Sequence, residues 1–258
     1  FNIRSRSGSN YLTRSTSLNL DSPTLQWTDP AGRALGQEYS NASLGAGLSG
    51  PIKFDESFYN ISLQAGRRAN DLQTLINTSA LGLQTSGIAQ DSVTRLLSLL
   101  SAAGIPATVR GIPGDRTNDN LLLFGSLDGA PTSSLSGVAY NIAFNGNVSK
   151  QSPVSSLSNQ LPAFSGERTN FSGGLSGRHT NFYGVFLSET SVGASLSNND
   201  AEPYLALPAG SVRINSTFAD GSSGVSNISF GGSPDLSTTQ GSSSLSFRNQ
   251  LAWFSLNN

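Results

Sequence analysis

Val138, Tyr140, Ile142 and Phe144 alternate with small or polar residues, and this two-residue period is the strongest constraint on what the chain can become. It places every second side chain on one face of an extended strand. The period returns at Val212, Ile214 and Phe218, at Ile228 and Phe230, and at Leu245, Phe247, Leu251 and Trp253. Gly/Ser/Asn clusters separate these runs. Asn145-Gly146-Asn147 is expected to stop one strand, and Gly45 to Pro51 reads as flexible punctuation before a strand from Ile52 to Leu63. Leu121-Leu122-Leu123-Phe124 is apolar at both parities, the pattern of a strand buried on both faces. The expected fold is mainly β, an antiparallel sandwich or barrel with a short helical insertion at about residues 71–103.

The insertion carries a different period. Val93, Leu96, Leu97 and Leu100 fall at i, i+3, i+4 and i+7, with Asp91 as the expected N-terminal cap. Gly104 stands where a left-handed C-terminal residue belongs, and Pro106 prevents continuation. A shorter helix is expected after Asn70, with Leu72, Leu75 and Ile76 on one face. The stripe of the longer helix is expected to pack on a sheet supplied by Ile105–Val109 and Asn120–Leu127.

Three regions are expected: an extended N-terminal arm at 1–20, a β-rich region with the helical insertion at 21–129, and an all-β region at 130–258 that can be continuous with it. The arm carries Arg4, Arg6 and Arg14 before the first acid, Asp21, and Asp29-Pro30-Ala31-Gly32 reads as a turn. An octet G-x-x-T-N-F-x-G occurs at 166–173 and again at 177–184. Two copies are too few for a solenoid, so consecutive strands of a meander are expected.

Composition removes much chemistry. With no Cys there is no disulfide, thiolate site or cysteine nucleophile, and His179 is the single histidine. A formal charge of -1 gives no electrostatic case for nucleic acid. No apolar run approaches the roughly 18 residues of a membrane-spanning helix, so no transmembrane segment is expected. The 45 Ser and 17 Thr, with 12% charged residues, suit a surface that packs against copies of itself. Cationic chemistry rests on 13 Arg against 2 Lys, that is, on planar forks rather than mobile ammonium groups. With no Met the N-terminus is expected to be cleaved or trimmed, and an extracellular or cell-surface location after removal of a signal is expected.

No catalytic constellation emerges. A Ser-His-Asp triad would need His179, which has no G-x-S-x-G elbow to serve. Sixteen scattered acids make neighbouring carboxylates such as Asp55-Glu56 unavoidable. Asp115 and Asp119 lie in a polar stretch with calcium-type oxygens but without EF-hand spacing. Sequons stand at Asn41, Asn60, Asn77, Asn147, Asn170, Asn215 and Asn227, at a frequency the Ser/Thr content largely accounts for.

Residues 166–197 contain Phe171-Ser172-Gly173-Gly174-Leu175-Ser176-Gly177, Phe182-Tyr183-Gly184 and Val192-Gly193-Ala194. This Gly/aromatic run resembles the β-barrel of transferrin-binding-protein-B-like surface proteins, whose barrels repeat F-x-G strands with glycine-rich returns. The resemblance covers about thirty residues and has no counterpart for the helical insertion. It implies an exported barrel that captures a metalloprotein or haem, and it transfers no ligand residue.

These features lead to the expectation of a secreted, non-enzymatic structural subunit of a fibre, pilus-like filament or surface assembly. It would self-associate into a homopolymer by strand exchange, with the arm as donor and Phe1, Ile3, Leu18 and Leu20 as assembly residues. The alternatives are a monomeric binding module for a glycan, haem or host receptor, and a carboxylate-dependent glycoside hydrolase. No cofactor is expected.

Overall fold

The computed structural model describes residues 9–25, 27, 30, 32, 38–129, 139–154 and 159–254. The protein is mainly β and antiparallel. Strands β1 (Thr13–Asp21), β2 (Tyr39–Lys53), β3 (Ser57–Asp71), β4 (Asp115–Gly129), β5 (Ala139–Ser152), β6 (Gly166–Tyr183), β7 (Phe186–Pro203) and β10 (Thr238–Trp253) form one eight-stranded sheet in that order. A separate two-stranded hairpin joins β8 (Gly210–Thr217) to β9 (Ser223–Phe230). Pairing runs continuously from β4 to β5, across the expected regional boundary near 129.

The strands are much longer than the sequence period alone suggests. Gly45–Pro51, read as punctuation, lies inside β2, paired with Tyr59 and its neighbours in β3. Likewise Asn145-Gly146-Asn147 does not end β5, which continues to Ser152. The two G-x-x-T-N-F-x-G octets are not consecutive strands. They lie within the single 18-residue strand β6 apart from the closing Gly184. Thr13–Asp21, the C-terminal part of the expected arm, is the edge strand β1 and pairs with β2 of its own chain.

The helical insertion lies where it was expected, with different bounds. Helix α1 spans Ala80–Thr85 and is capped by Ser79, whose hydroxyl accepts from Gly82 N, whereas Asn70 belongs to β3. Helix α2 spans Gln90–Ala102, with Ala89 at the N-cap and Asp91 inside the first turn. Gly104 has φ +72°, and Ile105 N bonds back to Leu100 O, closing the C-terminus as its glycine requires.

The apolar stripe of α2 does not pack on the large sheet, and Ile105–Val109 is not a strand. Val93, Leu96 and Leu100 instead bury against Leu75, Leu83, Ile88, Leu161, Ile214 and Ile228. These residues come from 72–114, 153–165 and 204–237, the long connections at one end of the sheet. Together they form a cap. Backbone bonds stitch the three connections to one another, including Leu161 N to Ser229 O at 3.0 Å and Ala163 N to Ala107 O at 3.2 Å.

Candidate functional site

The sheet has two chemically distinct faces and almost no buried core. Among the described residues, its one buried hydrophobic side chain is Ala201; the other buried hydrophobics belong to the cap and its approaches. Register places Leu18, Leu44, Ala65, Leu121, Val148 and Phe171 in one row on the same face. Further along that face lie Leu123, Phe144 and Leu175, then Leu127, Ile142, Val192 and Phe247. The opposite face carries Ser15, Ser43, Ser62, Gln64, Asn145, Asn147, Ser172, Ser195 and Ser244 at the intervening positions. There Ser195 Oγ and Ser244 Oγ are 2.7 Å apart, and Asn170 Nδ2 donates to Ser149 Oγ at 3.4 Å.

The apolar face is uncovered. Leu121 is 44% exposed, Leu175 55% and Phe247 72%. Leu121–Phe124, expected to be buried on both faces, is thus a strand with neither face enclosed. Each such side chain left in water forgoes roughly 1.5–3 kcal/mol. Seven strand spacings of about 4.8 Å and a band about 25 Å tall make a patch on the order of 800 Å², beyond the 300–600 Å² typical of a monomer's largest apolar patch.

The band has definite limits. Towards the cap it ends at a row of polar and charged groups: Arg67, Asp119, Lys150, Thr169 and Asp200. At the opposite end it closes on aromatic rings, Tyr59, Tyr140, Tyr183, Phe186 and Trp253. These rings do not lie in one register row. Tyr59 shares its row with Phe247, so the aromatic limit descends from Phe247 to Trp253, six residues, on crossing from β3 to β10. Two polar groups inside the band satisfy each other, with Asn249 Nδ2 donating to Thr190 Oγ1 at 2.7 Å.

The ends of the sheet differ as well. Connections 72–114, 153–165 and 204–237 leave from one end and build the cap, whereas 54–56 and 184–185 are short returns at the other. Between cap and sheet sits a polar cluster. Ser152 Oγ donates to Glu167 Oε1 at 3.0 Å and meets the Tyr204 hydroxyl at 2.8 Å, while Lys150 Nζ pairs with Glu167 Oε2 at 2.6 Å. The Lys150 hydrogen bond holds the Glu167 carboxyl below the usual carboxylate range, and the same bond raises the lysine. Burial pushes the Tyr204 phenol up.

The residues singled out in the sequence disperse over this frame. Asp115 and Asp119 stand four residues apart on β4, about 14 Å at strand spacing, and do not converge on one ion. Asp119 Oδ1 instead faces Arg67 Nε at 3.5 Å, an ion pair without hydrogen-bond geometry. Among the described residues no three His, Asp or Glu side chains gather in a group able to hold a metal. His179 is exposed on the apolar face, between Tyr140 and Thr190. Leu18 and Leu20 lie on that face at the edge strand, 63% and 62% exposed, while Phe1 and Ile3 lie outside the described residues.

Asn41, Asn60, Asn147 and Asn170 lie on the polar face of paired strands, and Asn215 and Asn227 lie in the β8–β9 hairpin. Asn77 is structural: its side chain accepts from Thr74 N at 2.6 Å and donates to Leu72 O at 2.9 Å. Comparison with protein-family models, curated proteins and solved structures gives no match.

Proposed function

We propose that this chain forms a sector of the wall of a transmembrane β-barrel, with the apolar face towards lipid, the polar face towards an aqueous interior, and the cap outside. The carrying observation is the uncovered apolar band, bounded by aromatic rings on one side and charges on the other. Strands of such barrels cross the hydrocarbon with about 9–11 residues and tilt at roughly 35–45°, with an apolar band about 25 Å tall. The band runs from Leu245 to Trp253 on β10 and from Phe186 to Leu196 on β7, about the length such a crossing needs. Short returns at one end and long connections at the other match the periplasmic and extracellular ends of outer-membrane barrels. No helix among the described residues is long and apolar enough to cross a membrane, and strands cross by a different rule.

In this reading the chain is non-enzymatic and belongs to the cell surface. The outer edges of β1 and β10 pair with nothing described and are where the wall would be continued or closed. The deciding experiment is spin labelling of consecutive β5 residues from Asn141 to Val148 in membranes. Accessibility to oxygen should peak at Ile142, Phe144 and Val148, and accessibility to a water-soluble nickel chelate at Asn141, Asn145 and Asn147. Loss of the two-residue alternation would defeat the proposal.

A second reading rests on the same open edges: a surface-assembly subunit joined to its copies by strand addition. It requires soluble oligomers or filaments, visible by electron microscopy without detergent, and burial of the apolar face between copies.

A further inference from the structure

Ionisable groups are divided unequally between the two faces. The polar face carries the cations Arg68, Arg116, Arg168, Arg178 and Arg248. Its acids are Asp21, Asp128 and Glu189, and each already accepts from a neighbour. Asn41 Nδ2 donates to Asp21 at 3.1 Å, Asn141 Nδ2 donates to Asp128 at 2.5 Å, and Arg178 pairs with Glu189 at 2.5 Å. Five cations therefore face three engaged anions, in a chain whose net charge is -1.

The arginines stand in two tiers. Near the cap, Arg68 and Arg168 share one register row through Asn118 and Gln151. Arg116 stands just above that row, donating to Val154 O at 3.1 Å. Ten residues further along β6, about 34 Å, Arg178 and Arg248 flank Ser191 in a second row, two strand spacings or about 10 Å apart. Among the described residues neither Arg168 nor Arg248 has an acidic partner, and Arg168 Nε is buried without a hydrogen-bond acceptor. Guanidinium forks suit carboxylate and phosphate oxygens, and rings of arginine select anions in pores.

Resting on the barrel reading, we infer that the polar face is an anion-attracting interior wall, with the Arg68/Arg168 tier receiving carboxylate- or phosphate-bearing solutes beneath the cap and the Arg178/Arg248 tier receiving them deeper.

The natural chain has no cysteine, so single-cysteine variants report without background. Membrane-inserted full-length S191C, Q64C and V192C are reacted with methanethiosulfonates of equal size, one ending in a sulfonate and one in a quaternary ammonium. Near Arg248 the anionic-to-cationic rate ratio at S191C should exceed that at Q64C by about two- to threefold at about 0.1 M salt, as a unit charge some 7 Å away in screened water predicts. Adding R248Q should bring the ratio down to the Q64C value, and adding R248K should preserve it. Equal ratios at S191C and Q64C, or a ratio indifferent to R248Q, overturn the anion-attracting wall and leave the barrel standing. If S191C reacts no faster than V192C with either reagent, the two faces are not water and lipid, and the barrel reading falls too.

Discussion

Phe171 and Phe182 occupy the same position in two copies of one octet, yet they project from opposite faces of one strand. Phe171 pairs with Val148 in the apolar band and Phe182 with Leu187 on the other face. An offset of eleven residues is odd, and odd offsets change faces in a strand. Repetition in the sequence therefore produces asymmetry in the wall.

A charge in the band should cost stability according to depth. Leu123→Arg, near the middle, should destabilise the membrane-inserted protein by about 2–4 kcal/mol, and Phe171→Arg, at the cap-side limit, by about 1 kcal/mol or less. Ser62→Arg on the polar face should be close to neutral. Urea unfolding in vesicles reads all three, and equal costs would remove the assignment of faces.

The cap should behave as an ordinary water-facing core. Ile228 is fully buried, so Ile228→Ala should cost about 2–5 kcal/mol, whereas Leu99→Ala, at a side chain 61% exposed, should stay within about 0.5 kcal/mol. Hydrogen exchange should show the loss in 72–114 and 204–237 while β5–β7 remain protected.

Two glycines seat aromatic rings across the sheet. A Cβ on Gly125 would stand 2.3 Å from the Phe144 ring, and one on Gly129 2.1 Å from Tyr140. Gly129→Ala should therefore turn Tyr140 away from its seat at the aromatic limit and cost about 1–3 kcal/mol by overpacking. A tyrosine environment unchanged by NMR or fluorescence would count against that packing.

Docking of the cap on the sheet should depend on pH from both sides. Glu167 has a depressed pKa, so its contribution is complete above its ordinary value of 4.5 and is lost as pH falls through the lower folded value. Lys150 has a raised pKa, so its contribution is complete below its ordinary 10.5 and is lost as pH rises through the higher folded value. Exchange protection at the cap–sheet junction should be greatest between those limits, and Glu167→Gln should flatten its acid limb.

Tyr140, Ile142 and Phe144 made β5 legible, as Val93, Leu96 and Leu100 did α2, because one face of each element is apolar. Strand length was hidden. Gly45, Gly47, Asn145 and Asn147 look like turn residues, but on the polar face small and amide side chains line a strand that fills no core. The candidate site was hidden for another reason. A two-residue period is the same whether or not the apolar side is covered, and only the structure shows that Leu121, Leu175 and Phe247 are exposed. The arginine tiers became visible only once pairing had put Arg178, Ser191 and Arg248 side by side.

The cap draws its core from connections that leave the sheet after β3, β5 and β7. Leu161 can reach Ser229, and Ile228 can reach the helices, only if β4 to β7 have met their partners at the right residues. A slip of one residue would turn a whole strand over, apolar side to polar side, and would also pull these anchors out of line. The packing of the cap and the register of the wall are thus one condition, met together.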